Sequence, residues 1–555
     1  MYQYDQYDQN MVDERVNQYR HQTQRYLDGT LSEEQFLPLR LQNGLYIQRN
    51  APMLRIAIPY GMLRADQLRM LADISDQYDR GYGHISTRQN MQLNWVALEQ
   101  VPDILEKLAS VQMHAIQTSG NCIRNVTTDQ FAGVAFDEVA DPRPWCEVLR
   151  QWSTFHPEFA FLPRKFKIAI NANTDKDRAA IKFHDIGLQI VKDAQHNIGF
   201  EVWVGGGLGR TPIIAEKIEN FVHWQDILGY LESVLRVYNL NGRRDNKYKA
   251  RIKIMVKALG IDAFRALVHK DLASRDQQQL KLTQHEIDRI HNCFTSPKYQ
   301  ISMTTLDSLT DITAINPGFR NWINQNITRH RTPGYAAVTL ALKATGEAPG
   351  DITSAQMKLI ANLADQYSFG ELRTTHEQNM VLSDVRIEDL HSLWLALAES
   401  NLATPNIGTL NDMICCPGGD FCALANAKSI PIAKAIQEQF DDLDYLYDLG
   451  DIQLNISGCM NACGHHHIGD IGILGVDKKG EEFYQVSIGG HSQYKGASIG
   501  KILGPSFKSD QVARVISEII DLYVANRTPE ESFADVVIRL GHQPFKEKVY
   551  AKKAA

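Results

Sequence analysis

A segment that occurs twice constrains this chain more than any other feature. Ala72-Asp-Ile-Ser-Asp-Gln-Tyr-Asp-Arg-Gly81 reads again as Ala361-Asn-Leu-Ala-Asp-Gln-Tyr-Ser-Phe-Gly370. Further on, at the same offset, Arg88-Gln-Asn-Met-Gln-Leu93 matches Glu377-Gln-Asn-Met-Val-Leu382. A second echo pairs His184-Asp-Ile-Gly-Leu188 with Gly469-Asp-Ile-Gly-Ile473, each followed by a β-like run ending in glycines, 200–207 and 483–490. The period is far too long for a solenoid. It implies two related halves about a pseudo-twofold axis, with the functional site where they meet.

Local patterning agrees between the copies. Leu54–Pro59 is β-like, Asp66–Tyr78 puts leucines and Ile74 on one helical face, and His84–Trp95 alternates like a strand. The second copy keeps this order in Ala337–Leu342, Ser354–Tyr367 and Glu371–Leu382. A β-α-β unit appearing twice predicts an α+β architecture of two joined half-sheets. At 555 residues the chain has room for about three or four domains. Residues 268–330, rich in Gln, Asp and Asn, read as a connector that is helical in places, and Pro544–Ala555 as a short basic surface extension.

Four cysteines fall in two close pairs, Cys416-x5-Cys422 and Cys459-x3-Cys463, the second inside Ser457-Gly-Cys-Met-Asn-Ala-Cys-Gly-His-His-His467. Four thiolates can hold an iron–sulfur cluster. The flanking Gly418, Gly419, Gly458 and Gly464 would let backbone N–H groups approach its sulfides. Structural zinc with a nearby histidine is the competing reading, although spacings of five and three differ from the usual zinc pattern. Cys415, next to Cys416, reads as a non-ligand, and Cys122, Cys146 and Cys293 as ordinary buried thiols, with a pocket position open to Cys122 beside Arg124. Eight cysteines in all are too sparse for a disulfide scaffold and suit reduced thiolates in a cytoplasm. A net charge of -7 argues against a nucleic-acid partner, and no apolar run is long enough for a bilayer. The N-terminus shows no secretory signal.

Taken with Leu162-Pro-Arg-Lys-Phe-Lys167, Ser86-Thr-Arg-Gln89, Cys122-Ile-Arg-Asn125 and Val204-Gly-Gly-Gly-Leu208, these motifs resemble the siroheme-containing nitrite and sulfite reductases, the assimilatory sulfite reductases above all, from about Gln42 to Tyr550. The resemblance implies paired ferredoxin-like half-domains at 51–120 and 331–405 and an arm at 1–50. It further implies two larger α/β cofactor-binding domains, 121–330 with the connector and 406–555. It implies a [4Fe-4S] cluster on Cys416, Cys422, Cys459 and Cys463, with Cys463 also bridging to siroheme. Arg55, Arg124, Lys165 and Lys167 would then face a small oxyanion, while Arg88 and Gln92 hold siroheme carboxylates and Asn461 lies near the macrocycle. The implied reaction is six-electron reduction of sulfite to sulfide. Nitrite to ammonia is the alternative, and a non-catalytic electron-transfer protein the alternative of another class. The electron donor would be external, a ferredoxin or an NADPH-dependent flavoprotein.

Three features stay outside this assignment. His84 stands where some relatives carry another basic residue, and His465–His467 read as packing groups near the cofactor rather than a metal site. Gly205–Gly209 holds only part of a dinucleotide fingerprint, so a tight turn beside the cofactor is expected. The basic run from Arg243 to Lys253 reads as a solvated helix face, or as a contact for an acidic donor or for cofactor carboxylates.

Overall fold

The computed structural model describes residues 1–276, 278–492 and 496–551. The duplicated units build two five-stranded antiparallel sheets that exchange a strand. The first runs Leu45–Ile47, Pro52–Ile56, Met91–Leu93, Tyr82–Ile85 and then Asp351–Thr353 from the other copy. The second runs Ile327–Arg329, Tyr335–Leu340, Met380–Arg386, Glu371–Thr374 and then Met62–Arg64 from the first copy. Helices Ala65–Tyr78 and Ser354–Tyr367 pack against each other between them. The second helix starts at a capping box, Thr353 with Gln356. The exchange ties each sheet to the other copy and joins the apolar faces of both copies in one core, which includes Leu68, Leu71, Ile74, Met357 and Ile360.

Two further sheets carry the rest of each half. Ile168–Asn171 pairs in parallel with Ile186–Lys192, which continues antiparallel to Ile198–Val204 and Glu216–His223. Leu454–Ser457 likewise pairs in parallel with Ile471–Lys478 and then antiparallel with Glu481–Ile488. Ile168–Asn171 and Leu454–Ser457 are buried along their whole length, which explains why neither shows a polar alternation. Each sheet has its own core.

Several expectations are corrected. His84–Trp95 is not one strand but two, Tyr82–Ile85 and Met91–Leu93, because Gln89 takes φ +58 and turns the chain. Glu371–Leu382 breaks the same way, with Gln378 at φ +63. The C-terminal extension is the helix Gln543–Tyr550, anchored by buried Phe545 and Val549; residues 552–555 lie outside the described residues. The connector contributes to both cores, Ile287 and Ile290 to one and Phe319 and Trp322 to the other. Among the described residues no helix is long and apolar enough to cross a membrane.

Candidate active site

The halves meet at a cleft of about 720 Å³ lined by Arg55, Arg88, Gln92, Arg124, Lys165, Lys167, Cys416, Asn461 and Cys463, with His84 and Gln378. Nine of the eleven substrate, cofactor and cluster residues expected from sequence therefore line one surface, and Cys422 and Cys459 lie outside its lining.

The cation wall is built by strand register and carbonyl struts. Arg55 lies opposite Gln92 across the sheet, and Gln92 Oε1 accepts from its Nε and Nη2 at 3.0 and 2.7 Å. Gln92, expected on a cofactor carboxylate, thus spends its oxygen on Arg55. Arg124 donates to Thr118 O at 2.8 Å and Gly120 O at 2.7 Å, and Arg55 Nη1 also reaches Thr118 O. Arg88 donates to Asn125 O, Thr127 Oγ1 and His184 Nε2. Lys165 and Lys167 enter just ahead of the strand Ile168–Asn171, with Lys167 N donating to Asp185 at 2.8 Å.

Among the described residues none of Arg55, Arg88, Arg124, Lys165 and Lys167 has an Asp or Glu within ion-pair distance. Burial, followed by Arg124 and other cations, pushes the Arg88 guanidinium down to about 9. Burial lowers Lys165 to about 8, with Cys463 opposing and Arg124 adding to the shift, and it lowers Lys167 further, with help from Arg88 and Lys165. Such a cluster is costly without an anion. A ligand carrying many carboxylates, together with a small oxyanion, is what these residues fit.

The opposite wall carries the thiols. Gly458 N donates to Cys416 Sγ at 3.2 Å, and backbone N–H groups of Leu424 and Ala425 point at Cys422. Glycine is required in this wall: a Cβ on Gly464 would sit 1.9 Å from Ile456 O, and one on Gly458 2.6 Å from Ala427 O. Burial pushes Cys416 up to about 12 and Cys459 to about 11, and Cys416, Cys422 and Cys459 all feel the charge of Cys463. Cys463 is exposed to the cleft, and its carbonyl accepts from Thr87 of the first half at 2.8 Å. A single zinc ion needs its ligands within about 2.3 Å of one point. Among the described residues no group of three or more His, Cys, Asp or Glu is gathered closely enough to hold a single metal ion.

The glycine turn reaches the same place. A Cβ on Gly209 would lie 3.8 Å from Met460 O and 3.9 Å from Asn461 O, and Gly209 O accepts from His467 Nε2 at 2.9 Å. Lys253 Nζ caps that turn by donating to Gly207, Leu208 and Thr211 carbonyls, and Arg251 pairs with Asp185. These two are inward struts, and the run 243–250 is a turn between helices rather than a helix face. Cys122 donates to Ser119 O and does not line the cleft.

Two residues escaped sequence reasoning. Tyr46 lies under Arg55, whose guanidinium is 5.2 Å from its ring centroid. Burial raises its phenol, but Arg124 and Arg55 outweigh that and bring it to about 7. His184 supports Arg88 from behind. A tyrosine one strand away from Arg55 and a histidine inside an internal echo were the only signals available.

Comparison with known proteins follows this division of the chain. The model of the nitrite and sulphite reductase 4Fe-4S domain matches residues 119–275 and 408–555. The nitrite/sulfite reductase ferredoxin-like half domain matches 46–111 and 328–400. Sulfite reductase [ferredoxin] 1 of Mycolicibacterium paratuberculosis is 26% identical over 501 residues, covering 88% of this chain and 82% of that one. The chloroplastic ferredoxin–nitrite reductase of Arabidopsis thaliana is 28% identical, covering 85% and 76%. The solved structure of the Mycobacterium tuberculosis NirA protein superposes with a TM-score of 0.76 at 26% identity, covering 93% of this chain and 92% of that one.

Proposed function

The chain belongs to the nitrite and sulphite reductase family, and we propose that it is an assimilatory sulfite reductase, reducing sulfite to sulfide with siroheme and a [4Fe-4S] cluster. The observation that carries this reading is the cleft: cations without carboxylate partners on one wall face the Cys416–Cys463 loops on the other. Cys416, Cys422, Cys459 and Cys463 would hold the cluster, with Cys463 also serving siroheme, while Arg88 would hold siroheme carboxylates and Asn461 would lie near the macrocycle. When bound, these groups would supply the single electrons that the reduction of the oxyanion requires.

The chain's own side chains do the rest. Arg55 and Arg124 present forks for oxyanion oxygens, pre-aimed by Gln92, Thr118 and Gly120. Lys165 and Lys167, buried among other cations, hold their protons less tightly than free lysines. They can pass protons to each oxygen that leaves as water. A ferredoxin is the proposed donor, because relatives named for ferredoxin cover most of the chain. Nitrite is the second substrate reading, favoured by the nitrite reductases among those relatives.

The test is an absorption spectrum and iron determination on the purified protein. Steady-state assays with sulfite and with nitrite follow, driven by reduced ferredoxin and, separately, by an NADPH-dependent flavoprotein. K165A and K167A are expected to keep both cofactors and lose at least about a hundredfold in turnover. Unchanged turnover in both would sink the assignment of these lysines.

A further inference from the structure

His184 does not line the cleft, yet it is buried directly behind it. We propose that His184 is the positioning residue for Arg88, a neutral acceptor that aims the guanidinium at an anionic cofactor without cancelling its charge. The proposal rests on the cofactor reading above and adds a residue to it.

The geometry assigns the proton. His184 Nδ1 lies 2.8 Å from Ala180 O, and a carbonyl can only accept, so Nδ1 carries the hydrogen. In the neutral ring Nε2 is then bare, and Arg88 Nη1 donates to it at 2.5 Å. Burial, with Arg88 and Lys167 adjacent, keeps the imidazole well below its ordinary range and therefore uncharged. The other partners of Arg88 are equally neutral, Thr127 Oγ1 at 2.8 Å and Asn125 O at 2.5 Å. The side chain is thus immobilised on three acceptors while its full charge remains for a ligand.

The loop behind His184 is arranged for this. Ala180 sits at φ +51, a left-handed conformation that strains a non-glycine residue. Asp177 holds the strained turn by accepting from Ala179 N at 3.1 Å and Ile181 N at 2.8 Å. The result is a carbonyl aimed at the imidazole.

The internal duplication supplies an independent argument. The position of Arg88 is Glu377 in the second half, and the position of His184 is Gly469. A Cβ on Gly469 would meet Asn455 and Ile471 O at 2.9 Å, so no imidazole fits there. Cation and acceptor are absent together from the half that has no use for them. The neighbouring aspartates, Asp185 and Asp470, are present in both halves.

The test uses the full-length holoenzyme and reads cofactor retention, the absorbance of bound siroheme per protein before and after prolonged dialysis. H184L removes the acceptor and is expected to lose cofactor about tenfold faster, the equivalent of one good hydrogen bond. H184Q can both donate to Ala180 O and accept from Arg88, and is expected to restore retention to within about twofold. H184D replaces the neutral ring with a shorter, negatively charged acceptor beside Arg88, and is expected to lose cofactor like H184L. H184L in an R88L background should add nothing, since the effect runs through Arg88. Wild-type retention in H184L or H184D, or an additive double variant, overturns the proposal. If H184L fails to fold, the contrast between H184D and H184Q still decides. Absence of siroheme from the wild-type protein would instead overturn the proposed function.

Discussion

The turn Ser86–Asn90 and its counterpart Thr375–Asn379 share a backbone and differ in purpose. Ser86 N donates to Asn90 O, and Thr375 N to Asn379 O, at 2.8 and 2.9 Å. Each turn glutamine reaches into the opposite copy: Gln89 Nε2 donates to Thr374 O, and Gln378 Nε2 to Ile85 O. Each also accepts one backbone N–H, Gln89 from Thr128 and Gln378 from Cys415. The groups kept in both copies close the turns and lock the halves together. The groups that differ carry chemistry. Arg88 is a buried cation pushed down to about 9, while burial beside Asp412 raises Glu377 to about 7. Duplication thus separates scaffold from site within one chain.

The most severe way to break this contrast is to import the second half's residue. R88E removes a cation from the cleft and adds a charge that repels cofactor carboxylates. The purified protein is expected to lack siroheme absorbance altogether. E377Q, the matching change in the second copy, is expected to leave absorbance and turnover at wild-type levels. Loss of cofactor from E377Q would show that both turns serve the site.

The paired aspartates sharpen the contrast next. Asp185 is fully buried and holds Arg251 Nε and Nη2 at 2.8 and 2.7 Å along with Lys167 N. D185N leaves Arg251 without its counter-charge, an expected loss of about 3–5 kcal/mol in denaturant unfolding. Asp470 accepts the equivalent backbone N–H, Gln453 N at 2.8 Å, but among the described residues no cation pairs with it, and burial raises it to about 7. The sign of its pH dependence follows. An unfolded aspartate ionises near about 3.9, so between roughly pH 4 and 7 the folded state binds more protons than the unfolded state. Stability from this group therefore falls as pH rises through that window and levels off above it. D470N should abolish the slope and stabilise the protein at pH 8 by about 2–4 kcal/mol. A pH–stability curve for D470N parallel to wild type would contradict this.

Much of this comparison was legible in the residues. The repeat located both helices and matched Arg88 with Glu377, and the four cysteines and the Lys-Phe-Lys segment were found without coordinates. What escaped depends on contacts between distant segments. Gln92 belongs to Arg55 because the two are register partners across antiparallel strands, a pairing that no local pattern encodes. The strand breaks at Gln89 and Gln378 were missed because neither glycine nor proline marks them; the glutamine side chains hold the left-handed backbone through tertiary hydrogen bonds. Lys253 and Arg251 resembled a solvated face until the glycine turn and Asp185 were placed against them.

The smallest effect concerns what the copies share. Asn90 Oδ1 accepts from Ile58 N at 3.1 Å, and Asn379 Oδ1 accepts from Leu342 N at the same distance. Both asparagines are buried, so alanine at either position strands a backbone N–H away from water. N90A and N379A are each expected to lower stability by about 1–3 kcal/mol, and by similar amounts. Equality is the informative outcome, measured by chemical denaturation of the cofactor-free protein, because siroheme binding would add its own contribution to stability. Asn379 also donates to Asp412, which pairs with Lys343, whereas Asn90 Oδ1 accepts from Asn125 as well. An N379A loss well beyond that of N90A would place the excess in that ion pair, making the scaffold of the second half the more heavily charged of the two.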